Sequence, residues 1–323
     1  MDGLQFVWGW QSALYLFLGG MGAGAFVAAM VVWFREGEKA HCTVVVSVLA
    51  AVVCLIAGLL LLLSELINPV RGMMMWQSFS NFTSWMTFGA WIVFAAVVVF
   101  LMQALCLGTL SGKVIGKVWK GFDAVAPKLG RVLAVIGMVL GVCVAAYTGI
   151  LLMSAPGVPL WNTPLIPCLF TVSALDTGVA LVEIVAFVFR KKDEVGPKTS
   201  RILQVSVIAL VVLELVVLAL LLTAMLGSPV EEGHVAAVSA QSAQILTQGV
   251  LAPLFWGLVV AVGLALPLAA SVLAVVGKGK AAHAVALAGA VGALVGGCAL
   301  RFLIVMVGIH ADPVMDAVAA LFG

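Results

Sequence analysis

The sequence predicts an all-α integral membrane protein of eight transmembrane helices, with both termini on the outer side. Three observations predict it. Hydrophobic residues make up 64% of the chain and charged residues 9%, a balance outside the soluble range. The apolar residues form continuous runs of the roughly 20 residues a helix needs to cross the hydrocarbon, without the alternation of a membrane β-barrel. Fourteen of the 16 Lys and Arg residues fall in alternate connections between those runs: Arg35 and Lys39; Lys113, Lys117, Lys120, Lys128 and Arg131; Arg190, Lys191, Lys192, Lys198 and Arg201; Lys278 and Lys280. Positive residues stay on the cytoplasmic side of a membrane, so these connections are expected inside, facing the cytoplasm, and the rest outside.

The spans are expected near 12–34, 43–67, 85–107, 131–153, 167–189, 202–226, 249–276 and 284–308. Met1–Gln11 has no basic n-region and no small-residue cleavage site, so the first span is expected to be retained. Its Gly19, Gly20, Gly22 and Gly24 lie mid-membrane, where Gly20-xxx-Gly24 reads as a helix-packing face and not as a phosphate cradle. Trp8, Trp10, Trp76, Trp85 and Trp161 cluster at the expected outer ends as an aromatic belt. The outer connection Gly227–Gln248 carries Glu231, Glu232 and His234. The tail Asp312–Gly323 sets Val314, Val318 and Leu321 on one helical face and is expected to lie at the interface.

Several chemistries are excluded. No basic, aromatic-interleaved soluble surface exists for nucleic acid; lipid is the expected surroundings. The six cysteines are scattered without a CxxC pair, so neither an iron–sulfur cluster nor zinc is encoded. Histidines 41, 234, 283 and 310 all sit at or beyond span ends, which removes the paired axial ligands a membrane b-type haem needs.

Ionisable residues within spans are costly and are functional candidates by default. Asp176 and Glu183 share a face of span five, Glu214 is near the middle of span six, and Arg301 lies at a depth similar to that of Asp176. A stepped proton path and ordinary polar glue between helices both account for them. An Arg301–Asp176 pair is the natural expectation. Near the outer ends, Gln11 and Tyr15 are i,i+4 neighbours; with Glu65 and Tyr147 they suit a pocket for a quinone, or simple interfacial anchoring.

The stretch YTGILLMSAPGVPLWNTPLIPCLFTVSALDTG, Tyr147 to Gly178, resembles the family of polysulfide-reductase and nitrite-reductase membrane subunits (the NrfD/PsrC-like proteins). YLFLGGMGAGAF in span one, ELINPVRG with FSNFTSWMTFGAW, and LRFLIVMVG in span eight agree with it, in the family's order. The resemblance implies two four-helix bundles, here 1–155 with the quinone site and 156–323 with the tail. It implies a haem-free inner-membrane anchor, without an iron–sulfur cluster of its own. Such an anchor exchanges electrons between menaquinone or ubiquinone and an outer iron–sulfur subunit joined to a molybdopterin catalytic subunit. Tyr147 would then hydrogen-bond the quinone head, with Gln11 and Tyr15 beside it. Glu65 and Arg71 would serve proton exchange or partner contact, and Trp161 would complete the site. A proton-coupled secondary transporter using Asp176, Glu183, Glu214 and Arg301, and a purely structural anchor, are the competing readings. Against the first, no matching Gly/Pro-broken spans appear in the two halves.

Overall fold

A computed structural model describes residues 8–65, 85–108, 122–155, 157–193, 195–227, 234–277 and 280–311. Arg71, Glu231, Glu232 and the tail Asp312–Gly323 lie outside them. The described residues contain helices and turns and no strand. The helices are α1 Trp10–Glu36, α2 His41–Glu65, α3 Trp85–Cys106, α4 Phe122–Met153, α5 Leu165–Phe189, α6 Pro197–Leu226, α7 His234–Thr247, α8 Ala252–Val276 and α9 Lys280–Met306. Within α8, Phe255–Ala265 is wound as a π-helix.

Among the described residues, seven stretches are long and apolar enough to cross a membrane, as expected of an integral membrane protein. The first, Trp10–Ser64, contains both α1 and α2. These meet at Gly37, whose φ of 57° lies in the left-handed region that glycine adopts without strain, followed by a 3₁₀ turn over Gly37–Ala40. The two run antiparallel. A Cβ on Gly22 would stand 2.8 Å from the Ala51 carbonyl oxygen and 2.9 Å from Cys54 Cβ, while Gly58 faces the Tyr15 carbonyl oxygen at 3.4 Å. The connection after α6 is not plain loop, since it holds the 14-residue helix α7.

Between helices in lipid no hydrophobic difference drives association, so close backbone approach and hydrogen bonds must do it. Helix α1 occupies the centre, packed on α2, α4, α5 and α9. It runs parallel to α5: Gly20 sits on Ala174, and Gly24 on Gly178 one turn later. At the second pair the backbones touch, and a Cβ on Gly178 would overlap the Gly24 backbone. Phe26 stacks on Phe100 of α3 at 3.7 Å between ring centres, over Gly137 of α4. On the other side α8 meets α9 where Gly263 touches Gly296. Helix α3 is the reverse case: Trp85, Phe88, Trp91, Phe94, Val98 and Leu101 point outward at helical spacing, as suits a face against acyl chains.

At the end bearing Arg35, Arg190, Lys191, Lys192, Lys198 and Arg201, two acids cross between helix pairs. Glu36, closing α1, accepts a hydrogen bond from Thr199 in the first turn of α6. Asp193, after α5, accepts one at 2.5 Å from the Thr43 backbone N–H in the first turn of α2. Each satisfies a donor in the opening turn of another helix and suits the positive end of its dipole.

Gly178→Val is expected to abolish recovery of monodisperse protein after detergent extraction, read by size-exclusion chromatography. Gly257→Ala, with nothing within 4 Å of its Cβ, is expected to elute as wild type.

Candidate functional site

Two groups of polar side chains stand out, one at each level of the fold. The first is at the end opposite the basic one. Gln11 and Tyr15 occupy the first turns of α1, both half-buried. Because Gly58 lies against Tyr15 and α2 runs antiparallel, the terminal residue of α2, Glu65, falls level with the start of α1. Helix α4 also runs antiparallel to α1, with Gly141 against Ala23 and Thr148 near Gly19, which puts Tyr147 within about a turn of Tyr15 in height. The Tyr147 ring lies over Gly89 of α3, where any Cβ would overlap its Cζ and hydroxyl. Gly89 therefore makes the space that the ring occupies.

Trp161 is fully buried beside this end. Its Nε1 donates to the Ile304 carbonyl at 2.8 Å, its ring meets Trp8 edge-on at 5.5 Å, and Gly308 packs against it. With its one polar atom so used, it supports neighbouring side chains and has no donor left to offer.

The second group is buried between α5, α6, α8 and α9. Arg301 is 0% exposed. Its Nη1 donates to Ser173 Oγ at 3.0 Å and to the Gly297 carbonyl at 2.9 Å, and its Nη2 to the Phe170 carbonyl at 3.3 Å. The partners it takes from α5 are thus Ser173 and the Phe170 carbonyl and not the expected Asp176, one turn beyond Ser173. Its guanidinium also lies 5.2 Å from the centre of the Phe170 ring. Gly20 seats it: a Cβ there would be 3.2 Å from Nη2, so this glycine serves the arginine as well as helix packing. Glu214 shares Ser173 with Arg301 and feels its charge, and Asp176 feels that of Glu214. Asp176 and Glu214 line a narrow crevice with no room for a water molecule, walled by Val259, Gly263 and Gly296. Asp176 Oδ1 has no hydrogen-bond partner there. Two turns along α5, Glu183 accepts from Gln204 Nε2 at 2.6 Å.

Ser173, Gln204, Gly20 and Gly89 were not singled out for these roles by sequence. Ser173 lies three residues before Asp176, which was the one available signal. The others depend on which helices meet. Among the described residues no group of His, Cys, Asp and Glu is arranged to hold a metal ion.

A family model described as "Polysulphide reductase, NrfD" matches residues 2–311. Over 313 residues the protein is 32% identical to the C subunit of polysulfide reductase from Wolinella succinogenes, with 94% of each protein covered. It is 28% identical over 197 residues to Protein NrfD of Escherichia coli K12, covering 58% of this protein and 61% of that one.

Trp161→Phe is expected to lower thermal stability by about 1 kcal/mol or somewhat more, since it leaves the buried Ile304 carbonyl without its donor. A thermal-unfolding comparison of the two proteins in detergent checks it.

Proposed function

This protein belongs to the polysulphide reductase NrfD family, and on that premise we propose that it is the quinone-exchanging anchor of a respiratory molybdopterin oxidoreductase complex. It passes electrons between membrane quinol or quinone and an iron–sulfur subunit docked on the outer side. The observation that supports this reading is that Gln11, Tyr15, Tyr147 and the last residue of α2 lie at a similar height, at the end opposite the basic loops. A quinone needs an apolar channel for its tail and a donor for each ring oxygen. Among the first four helices, Gln11, Tyr15 and Tyr147 are side chains able to donate.

In this reading Tyr147 donates its phenol O–H to one oxygen of the head group, and Gln11 or Tyr15 serves the other. Quinol oxidation releases two electrons to the partner's cluster and two protons, for which Glu65 is the proposed acceptor, with Arg71 assigned to the same exchange or to partner contact. Trp161 packs behind the site. The quinone is a menaquinone or a ubiquinone, and quinone reduction uses the same groups. The orientation follows from the basic end facing the cytoplasm: an inner-membrane protein of eight spans with both termini outside. The helix packing supports two four-helix bundles, 1–155 and 156–323. Helices α1, α2, α3 and α4 adjoin in a ring, α5, α6, α8 and α9 adjoin in the same order, and α1 meets α5 between them.

A secondary transporter would need these halves to rock about their seam. The backbone contact of Gly24 with Gly178 and the Glu36 and Asp193 hydrogen bonds oppose that motion.

Tyr147→Phe is expected to lower quinol oxidation by the assembled complex about tenfold, the equivalent of one hydrogen bond to the head group. Subunit content should not change. Gly89→Ala, which displaces the ring, should fall in the same direction. Quinol-dependent turnover per assembled complex measures both, and wild-type rates in the two variants would overturn the assignment of Tyr147.

A further inference from the structure

The two crossings of the seam between the halves are unequal. Where α4 crosses to α5, a Cβ on Gly149 would stand 2.4 Å from the Pro167 Cα, so the backbones are in contact. The matching crossing, of α9 to α1, leaves a groove of about 500 Å³. Residues of α9 between Leu294 and Phe302 line it, together with Phe17 and Met21 of α1 and Leu258 of the π-helical segment of α8. Since α1 and α8 both pack on α9, the groove follows α9 between them. Its open side lies where Leu258 and Val295 are exposed, and that side faces the membrane.

The groove selects its occupant by chemistry and by level. Its surface is apolar throughout, hydrocarbon with the sulfurs of Met21 and Cys298, so a head group seeking oxygen or nitrogen partners finds none. Phe302 lies about 6 Å and Leu294 about 18 Å from the Met306 end of α9, which sets the groove in the half of the hydrocarbon nearer the Tyr147 end. A chain lying there touches protein on more than one side, and each such contact is dispersion attraction that an unfilled void forfeits. The end above the groove decides the charge of the lipid. Among the described residues no exposed Lys or Arg lies at that end. Anionic lipids are held through basic residues, so an anionic headgroup finds no fixed counter-charge here, whereas a zwitterionic one carries its own.

We infer that this groove binds one acyl chain of a zwitterionic phospholipid from the leaflet at the Tyr147 end, the outer leaflet in the orientation proposed above. The chain completes the α1–α9 crossing with packing that the side chains leave undone. Phe17 lines the groove, and its ring centre is 5.8 Å from the Arg301 guanidinium carbon. The bound chain therefore backs one apolar wall of the arginine seat.

Photolabelling of the full-length protein in lipid nanodiscs tests this. The probe is phosphatidylethanolamine with a diazirine in one acyl chain, and adducts are located by mass spectrometry after proteolysis. Labelling at Met21, Cys298 and Phe302 should exceed that at Trp91 and Phe94 on the outward face of α3 severalfold. Phosphatidylglycerol carrying the same chain should label the groove severalfold less. Ala299→Phe, which fills the groove, should lower the groove adducts severalfold and leave those on α3 unchanged; Val295→Trp at the rim serves if that variant does not fold. Equal labelling of groove and α3, equal labelling by the two lipids, or unchanged groove adducts in the folded variant overturns the inference. So does loss of groove adducts when a long-tailed quinone is added, which assigns the groove to an isoprenoid chain, or their absence from a dimer, which assigns it to a second copy. No electron transfer is read and both leaflets carry the probe, so the outcome is independent of the reading proposed for Tyr147 and of the orientation.

Discussion

The backbone contact between Gly24 and Gly178 is the constraint on which the other arrangements rest. Two helices from opposite halves of the protein approach until no side chain fits between them, which is the way apolar helices gain contact when lipid competes equally for their surfaces. Their approach brings Ser173 and Phe170 over α1, opens the space at Gly20 into which Arg301 reaches, and sets α4 and α9 on either side. A longer side chain at either glycine would displace the seam, the arginine seat and the relation of the helix rings together.

The two halves divide their work by polarity. The first is apolar in its middle, where Phe26 stacks on Phe100, and carries Gln11, Tyr15 and Tyr147 towards the end away from the lysines and arginines. The second buries charge in its middle. Arg301 is tolerated there because several of its N–H groups find oxygens and aromatic faces lie near it, conditions under which a buried cation avoids much of its desolvation cost.

Much of the helix layout was legible from residue types alone. Apolar run length located the long helices to within a few residues, with α4 starting earlier than its apolar core. Helix α7 was not legible, because a modestly apolar 14-residue segment between polar neighbours reads as a connection. Nor was the π winding of Phe255–Ala265, which has no composition of its own. The intramembrane acids and arginine could be named from their cost in lipid, but not their partners. Whether Arg301 meets Asp176 or Ser173 depends on an axial offset of about one turn between two helices, and helices apolar on every side give no sequence signal for that register. The role of Gly89 was hidden for the same reason, since only the neighbouring helix shows what its missing side chain makes room for.

The hydrogen bonds at the basic end have a consequence for how the protein is made. Helix α2 has its early Thr43 N–H satisfied by Asp193, which is synthesised some hundred and fifty residues later, and α6 is held at Thr199 by Glu36 from the first helix. Each half thus supplies an acceptor to the opening turn of one helix in the other. During synthesis the first four helices enter the bilayer with α2 lacking that acceptor, and they acquire it only when the fifth helix has been inserted and turned. Final consolidation is therefore a late event that involves both halves, and a nascent polypeptide stalled after α4 would present an unfinished surface to membrane quality control.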